Sequence, residues 1–406
     1  MSHTSDLVDS ARRHWLPVYR LRAPVLDRGH GARLWDCEGR EYIDFSAGIA
    51  VNSLGHGDPD LLAALQTQAG KLWHASNVFL TEPPVRLAEE LVAAAAFAER
   101  VFFCNSGAEA NEAAIKLARR WASRQGRPPQ QRVIVSFHGG FHGRTLATVT
   151  ATAQAKYQAG FEPLPEGFRH CPFNDLAALD AALAPGDVCA VLVEPIQGEG
   201  GVLPAADGFL AALRERCDRH GALLLLDEIQ CGMGRTGRLF AHEYERVRPD
   251  AVSLAKALGC GMPIGALLVG PALADVLEVG AHGTTFGGNP LACAVARVAL
   301  RKLGSPAVLA NVAARSAQLR AGLDGIGAAT GLFRAVRGRG LMLGAVLGDA
   351  LAGRAGEIVD RAAAHGLLLL QAGPDVLRLL PPLTIGEDDC REGLQRLQAA
   401  LQALAA

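Results

Sequence analysis

The chain has 406 residues, half of them hydrophobic and 20% charged, with 40 basic and 41 acidic side chains and a formal net charge of -1. That length predicts a large core in two or three units, and the balanced charge offers no basic field for nucleic acid, so the expected partner is a small molecule. Nine cysteines without a CxxC pair read as reduced, buried thiols, and the chain has neither an export-type leader nor an apolar run of eighteen residues, so a cytoplasmic protein with no membrane contact is expected.

In chain order, residues 34 to 53, "LWDCEGREYIDFSAGIAVNS", predict a hairpin-like unit turning at "DCEGRE", within an N-terminal segment 1–60. Over 61–304 the helical stretches "PDLLAALQTQAGKLW" and "PPVRLAEELVAAAAF" alternate with short apolar runs, "RVFFCNS", "RVIVSFHG", "CAVLVEP" and "ALLLLDE". This is the pattern of an α/β domain with a mainly parallel sheet covered by helices on both faces. Over 305–406 the helical "AQLRAGLDGI" and "GLQRLQAALQALA" surround the strand-like "GLMLGAVLG", "GLLLLQ" and "VLRLLPP", a smaller α+β domain to which segment 1–60 contributes. Ligands of open α/β sheets bind beyond the carboxyl ends of the strands, so the polar residues that end the apolar runs are the first site candidates.

"RVFFCNSGAEANEAAIKLARR" runs from a strand into a helix, with Ser106 as N-cap and Glu109 completing a capping box. Free amides there bind an anion, and Gly107 and Ala108 leave room for it, which makes a phosphate cup; an ordinary capped helix reads the same way. In "SFHGGFHGRT", His138 and His142 have the spacing of a metal pair on a helix. Gly139, Gly140 and Gly143 argue against a helix, and no carboxylate is close, so no metal site is expected. Phe141 as a flat apolar platform and Arg144 as a carboxylate fork are the useful residues.

"ALLLLDEIQCGMGRTG" ends an apolar run on Asp227 and Glu228. An ATPase reading needs GxxxxGK[ST], and the only Gly-Lys, Gly70-Lys71, has Leu65 and Leu72 at the other required positions. Gly232, Gly234 and Gly237 form a GxGxxG, but "DEIQC" separates them from the strand, which disfavours a dinucleotide site. Asp227 alone would be a carboxylate capping a turn. Lys256, in "DAVSLAKALGCGMPIGALLVG", stands out because only 5 of the 40 basic residues are lysine. Alone it would be a side chain snorkelling from a helix end. Together, a phosphate cup, an aromatic platform, a strand-end acid and an isolated lysine are what pyridoxal phosphate requires.

These segments, with "LWDCEGREYIDFSAGIAVNSLGHGDP", "VEPIQGEGG", "LAKALG", "HGTTFGGNPLA" and "VRGRGLMLG", resemble the class-III pyridoxal-phosphate aminotransferases of fold type I over nearly the whole chain. The resemblance implies that Lys256 carries the Schiff base and shuttles the proton, and that Asp227 keeps the ring nitrogen protonated. It further implies that Gln230 touches the ring hydroxyl, that Phe141 covers the ring, and that Ser106, Gly107 and Ala108 hold the phosphate. Thr285 would reach the phosphate of a neighbouring subunit, with Thr284 beside the substrate, which implies an obligate homodimer with shared sites. Arg144 would be the permanent carboxylate fork, and Arg378 would bind the near carboxylate of glutamate. Glu199 would pair with Arg378 when that carboxylate is absent.

The small Gly48, where ornithine-specific relatives carry a tyrosine, favours N2-acetylornithine over ornithine, 4-aminobutyrate or succinylornithine as amino donor to 2-oxoglutarate. The products would be N-acetylglutamate 5-semialdehyde and glutamate, by a ping-pong reaction in arginine biosynthesis. Two departures from the family pattern stand out: Gly57-Asp58 in "GHGDP", and Cys260, which places an oxidisable thiol near the lysine. The rival from another class is a non-catalytic or dinucleotide-binding α/β protein.

Overall fold

A computed structural model describes residues 3–21 and 24–405. The N-terminal hairpin forms because Asp36 closes its turn, with Oδ1 accepting from the amides of Glu38 (3.0 Å) and Arg40 (2.9 Å). The strands Arg33–Asp36 and Glu41–Asp44 then pair antiparallel, and Leu367–Leu368 from the far end of the chain adds in parallel to Ile43 and Asp44.

A seven-stranded sheet organises the middle of the chain, in the order Arg100–Cys104, Gly265–Val269, Ala251–Leu254, Leu223–Asp227, Val188–Val193, Val133–Phe137, Phe168–Cys171. All pairs are parallel except the two made by Gly265–Val269. The loop from Ala255 to Ile264 explains that exception: a parallel return needs a crossover of a dozen or more residues, and this loop is shorter. Helices on both faces account for strands that read as continuous apolar runs. Along one strand, Leu223 and Leu225 pack with Ala114, Leu117 and Ala118 of the helix Gly107–Arg124. Leu224 and Leu226 face the other cluster, with Leu91, Leu213 and Val295.

After the helix Pro306–Thr330 an antiparallel sheet follows, in the order Phe333–Arg339, Met342–Leu347, Val376–Leu379, Leu370–Gln371. Arg235 joins three distant segments and is itself fully buried: Nη1 donates to the carbonyls of Leu341 (3.0 Å) and Pro381 (2.5 Å), and Nη2 to Ser53 Oγ (2.9 Å). Gly234 (φ 85°) and Gly237 (φ 98°) shape the turn that delivers Arg235. The next helical element is only the 3-10 turn Ala241–Tyr244, so this GxGxxG is a structural turn rather than a dinucleotide loop. Among the described residues, no helix is long and apolar enough to cross a membrane.

Candidate active site

A cavity of about 450 Å³ lies beyond the carboxyl ends of the parallel strands, where such sheets bind ligands. Ser106, Gly107, Ala108, Phe141, Arg144, Asp227, Gln230 and Lys256, candidates from four separate sequence motifs, all line it.

Asp227 ends its strand with its side chain buried. Oδ2 accepts from Asn111 Nδ2 (2.7 Å) and lies 2.8 Å from His142 Nδ1, while Oδ1 accepts from the amide of Ile229 (3.1 Å). Burial pushes His142 down, but the hydrogen bond and charge of Asp227 outweigh it and raise its pKa. Asn111 also donates to the His142 carbonyl (2.8 Å), so one buried amide fixes both partners.

Lys256 follows the strand Ala251–Leu254 at a left-handed φ of 44°, a conformation unusual for a side-chain-bearing residue. Burial, reinforced by the charge of Arg378, lowers its ammonium to about 8, so far more free amine exists near neutrality than for an ordinary lysine. Arg378 Nη1 donates to Glu199 Oε1 at 2.5 Å and to Gln230 Oε1 at 3.2 Å. Arg378 is 3% exposed and Glu199 23%, so the acid is the more accessible partner. Arg144 is exposed at the cavity.

The helix cap departs from the expected box. Ser106 Oγ accepts from the Glu109 amide (3.2 Å), but the Glu109 carboxylate turns to the Asn105 amide (2.8 Å) rather than to the Ser106 amide. The first intrahelical bond is Ala110 N to Ser106 O, which leaves the Gly107 and Ala108 amides to the cavity.

Thr284 and Thr285 do not line the cavity of their own chain. Thr284 Oγ1 accepts from Asn105 Nδ2 (3.2 Å), and Thr285 is exposed. Gly48 is also outside it, exposed in a run of left-handed residues, Ala47 to Ala50. Asp58 has a structural role: it caps the helix Pro59–Ala69 and, with Asp60, binds Lys302 (2.6 Å each). Cys260 is buried, its Sγ donates to the Ala257 carbonyl (3.2 Å), and burial pushes the thiol up to about 12, which makes it a poor target for oxidation.

Sequence reasoning missed four residues here, one of them Asn111, whose amide holds Asp227 and His142. In the sequence His142 reads only as half of a metal pair with His138. Ile229, which lines the cavity two residues after Asp227, carries no polar signal at all. Glu194 was legible, since it is the polar residue ending "CAVLVEP". It is buried, and its two oxygens accept from the amides of Phe141 (2.8 Å) and Gly198 (3.1 Å). Burial pushes its carboxyl up to about 7 against the opposing pull of His142.

Pyridoxal phosphate fits this donor set. The amine of Lys256 and the carboxylate of Asp227 share the cavity, Phe141 and Ile229 supply apolar walls, and the free helix amides supply an anion cup. Small residues keep the cup open to a close approach. A Cβ on Gly107 would lie 2.9 Å from Ile229 Cδ1, and one on Gly143 (φ 139°) would lie 2.9 Å from Ala108 Cβ.

Comparison with known proteins agrees with this chemistry. Residues 19–401 match the family model "Aminotransferase class-III". The chain is 66% identical to the acetylornithine aminotransferase of Xanthomonas campestris pv. campestris over 100% of both chains. It is 51% identical to the succinylornithine transaminase of Yersinia enterocolitica over 96% of this chain and 95% of that one. Among solved structures, N-acetylornithine aminotransferase from Stenotrophomonas maltophilia K279a superposes with a TM-score of 0.87 at 56% identity, covering 98% of this chain and 99% of that one.

Proposed function

The chain belongs to the class-III aminotransferases, a pyridoxal-phosphate-dependent family, and from that premise we propose that it moves the terminal amino group of N2-acetylornithine to 2-oxoglutarate. Pyridoxal phosphate, when bound, supplies an aldehyde to receive the amino group and a pyridine ring to accept electrons from the reacting carbon. Lys256 would hold the aldehyde carbon and, once released, carry the proton to and from the substrate carbon, work that a guanidinium cannot do. Asp227, oriented by Asn111 and His142, would hold a proton on the ring nitrogen. Gly107, Ala108 and Ser106 would bind the phosphate, Phe141 would cover the ring, and Gln230 would meet the ring hydroxyl.

The observation that carries the reading of a terminal-amine donor is the Arg378–Glu199 pair, and the 66% identity to an acetylornithine aminotransferase supports the acetyl form. Glutamate brings a carboxylate next to its reacting carbon and another far from it, whereas acetylornithine, reacting at its terminal amine, brings only the far one. One fork must therefore be permanent, assigned to Arg144, and the other switchable. Glu199 switches Arg378 off by occupying it, because a buried guanidinium left unpaired is costly.

The dimer is part of the same reading. Trp73, Val78, Phe79, Leu80 and Phe286 are exposed apolar residues, and Asn77 Nδ2 bonds the carbonyls of Thr284 (3.0 Å) and Gly287 (3.1 Å), joining them into one surface. A second copy covering it would bring Thr284 and Thr285 to the neighbouring site. Nine free thiols support a cytoplasmic location.

The test is a comparison of acetylornithine, succinylornithine, ornithine and 4-aminobutyrate as donors to 2-oxoglutarate, read as kcat/KM. Acetylornithine should lead, and the lead of any other donor would replace it as the substrate.

A further inference from the structure

Arg144 has no carboxylate within ion-pair distance among the described residues, and its anchor is aromatic. Its Cζ lies 4.0 Å from the centroid of the Tyr157 ring and 5.5 Å from that of Phe141. The two rings meet edge to face at 5.8 Å and 81°. Tyr157 sits on a single helical turn, Ala155–Gln158, too short to hold itself. Two glutamines pin it. Gln154 Nε2 donates to the carbonyls of Gly140 (2.9 Å) and Gly139 (3.3 Å), in the loop that carries Phe141 and Arg144. Gln158 Nε2 donates to the carbonyls of Val149 (3.1 Å), Thr150 (3.2 Å) and Thr152 (3.0 Å), at the end of the neighbouring helix Leu146–Ala151.

The type of anchor matters. An acidic partner would occupy the N–H edge of the guanidinium, the same edge that grips a substrate carboxylate bidentately. A ring binds the face and leaves that edge free. We propose that Tyr157 is a positioning residue that holds Arg144 face-on, so that its N–H fork stays free and correctly aimed for the far carboxylate of either substrate. This rests on the reading of Arg144 as the permanent fork.

The test uses four holoenzyme variants, Tyr157→Leu, Tyr157→Phe, Arg144→Gln and Lys156→Met. Lys156 is included because its Nζ lies 4.6 Å from the same ring and adds charge without steering Arg144. Three quantities are read: the Kd of glutarate, an unreactive dicarboxylate followed by its perturbation of the cofactor's visible absorption, and the KM and kcat for acetylornithine and glutamate. Loss of one cation–π contact predicts that Tyr157→Leu raises KM and Kd roughly 3- to 30-fold with kcat within about threefold. Tyr157→Phe, which keeps the ring, and Lys156→Met should stay within about twofold of wild type, while Arg144→Gln should weaken binding at least as much as Tyr157→Leu. The proposal is overturned if Tyr157→Leu leaves Kd and KM unchanged while Arg144→Gln raises them, or if Tyr157→Phe or Lys156→Met is as damaging as Tyr157→Leu. If Arg144→Gln itself leaves Kd unchanged, the fork reading fails, and the proposal fails with it.

Discussion

His142 Nδ1 and Asp227 Oδ2 lie 2.8 Å apart with both side chains buried, and Asn111 binds both residues. The acid that faces the cavity is therefore braced from behind. Asp227→Asn should still bind cofactor but lose most of its turnover, about 100-fold or more in kcat, because a ring nitrogen without its proton is a poor electron sink. Steady-state kinetics with a visible spectrum of the variant check this. A kcat within a few-fold of wild type would assign ring protonation to another group.

Turnover should depend on the amine of Lys256, which lines the cavity. Lys256→Ala should fold and still bind pyridoxal phosphate through the cup, yet lose about 1,000-fold or more in kcat. The wild-type apoenzyme gives a second reading. The amine is held down to about 8, and only its free form attacks an aldehyde, so the rate of reconstitution with pyridoxal phosphate should rise through about pH 8 and level off above it. A rate independent of pH from about 7 to 10 would show that this amine is not the group that titrates.

Glu194 should make stability depend on pH in a defined direction. Its carboxyl is raised from 4.5 to about 7 by burial, so its contribution to stability is fully present below about 4.5 and is lost as pH rises through about 7. Glu194→Gln cannot titrate. It gives up an acceptor for Phe141 or Gly198 at every pH, but the difference in unfolding free energy from wild type should move in the variant's favour between about pH 5 and 8, by at most about 3 kcal/mol. Thermal unfolding of both holoenzymes across that range decides it, and a constant gap would mean that Glu194 does not titrate there.

Much of the fold was legible because the central strands are buried on both faces, so "CAVLVEP" and "ALLLLDE" stand out as apolar runs. Phe168–Cys171 was not, since "FRHC" is a partly exposed edge strand without an apolar run. Neither was the reversed direction of Gly265–Val269, which depends on loop length rather than on the strand itself. The site followed the same division. Asp227 and Lys256 have local chemical signals, whereas Arg378 meets Glu199 across 179 residues of chain and could be paired with it only through family resemblance. Ile229 and Tyr157 act through shape and position, and neither leaves a mark in a single sequence.

In the proposed reaction one site serves two substrates because Glu199 masks Arg378 only when no near carboxylate is present. Glu199→Ala should therefore separate the two half-reactions, measured by single-turnover absorbance changes of the cofactor. The glutamate half-reaction should hold or improve, and the acetylornithine half-reaction should fall. Removing one partner of a buried charge pair sets the scale at roughly 3–5 kcal/mol at most, and less because Glu199 is partly exposed, so the ratio of the two rates should shift by about one to three orders of magnitude. Equal losses in both half-reactions would contradict the account and leave Glu199 with a structural role alone.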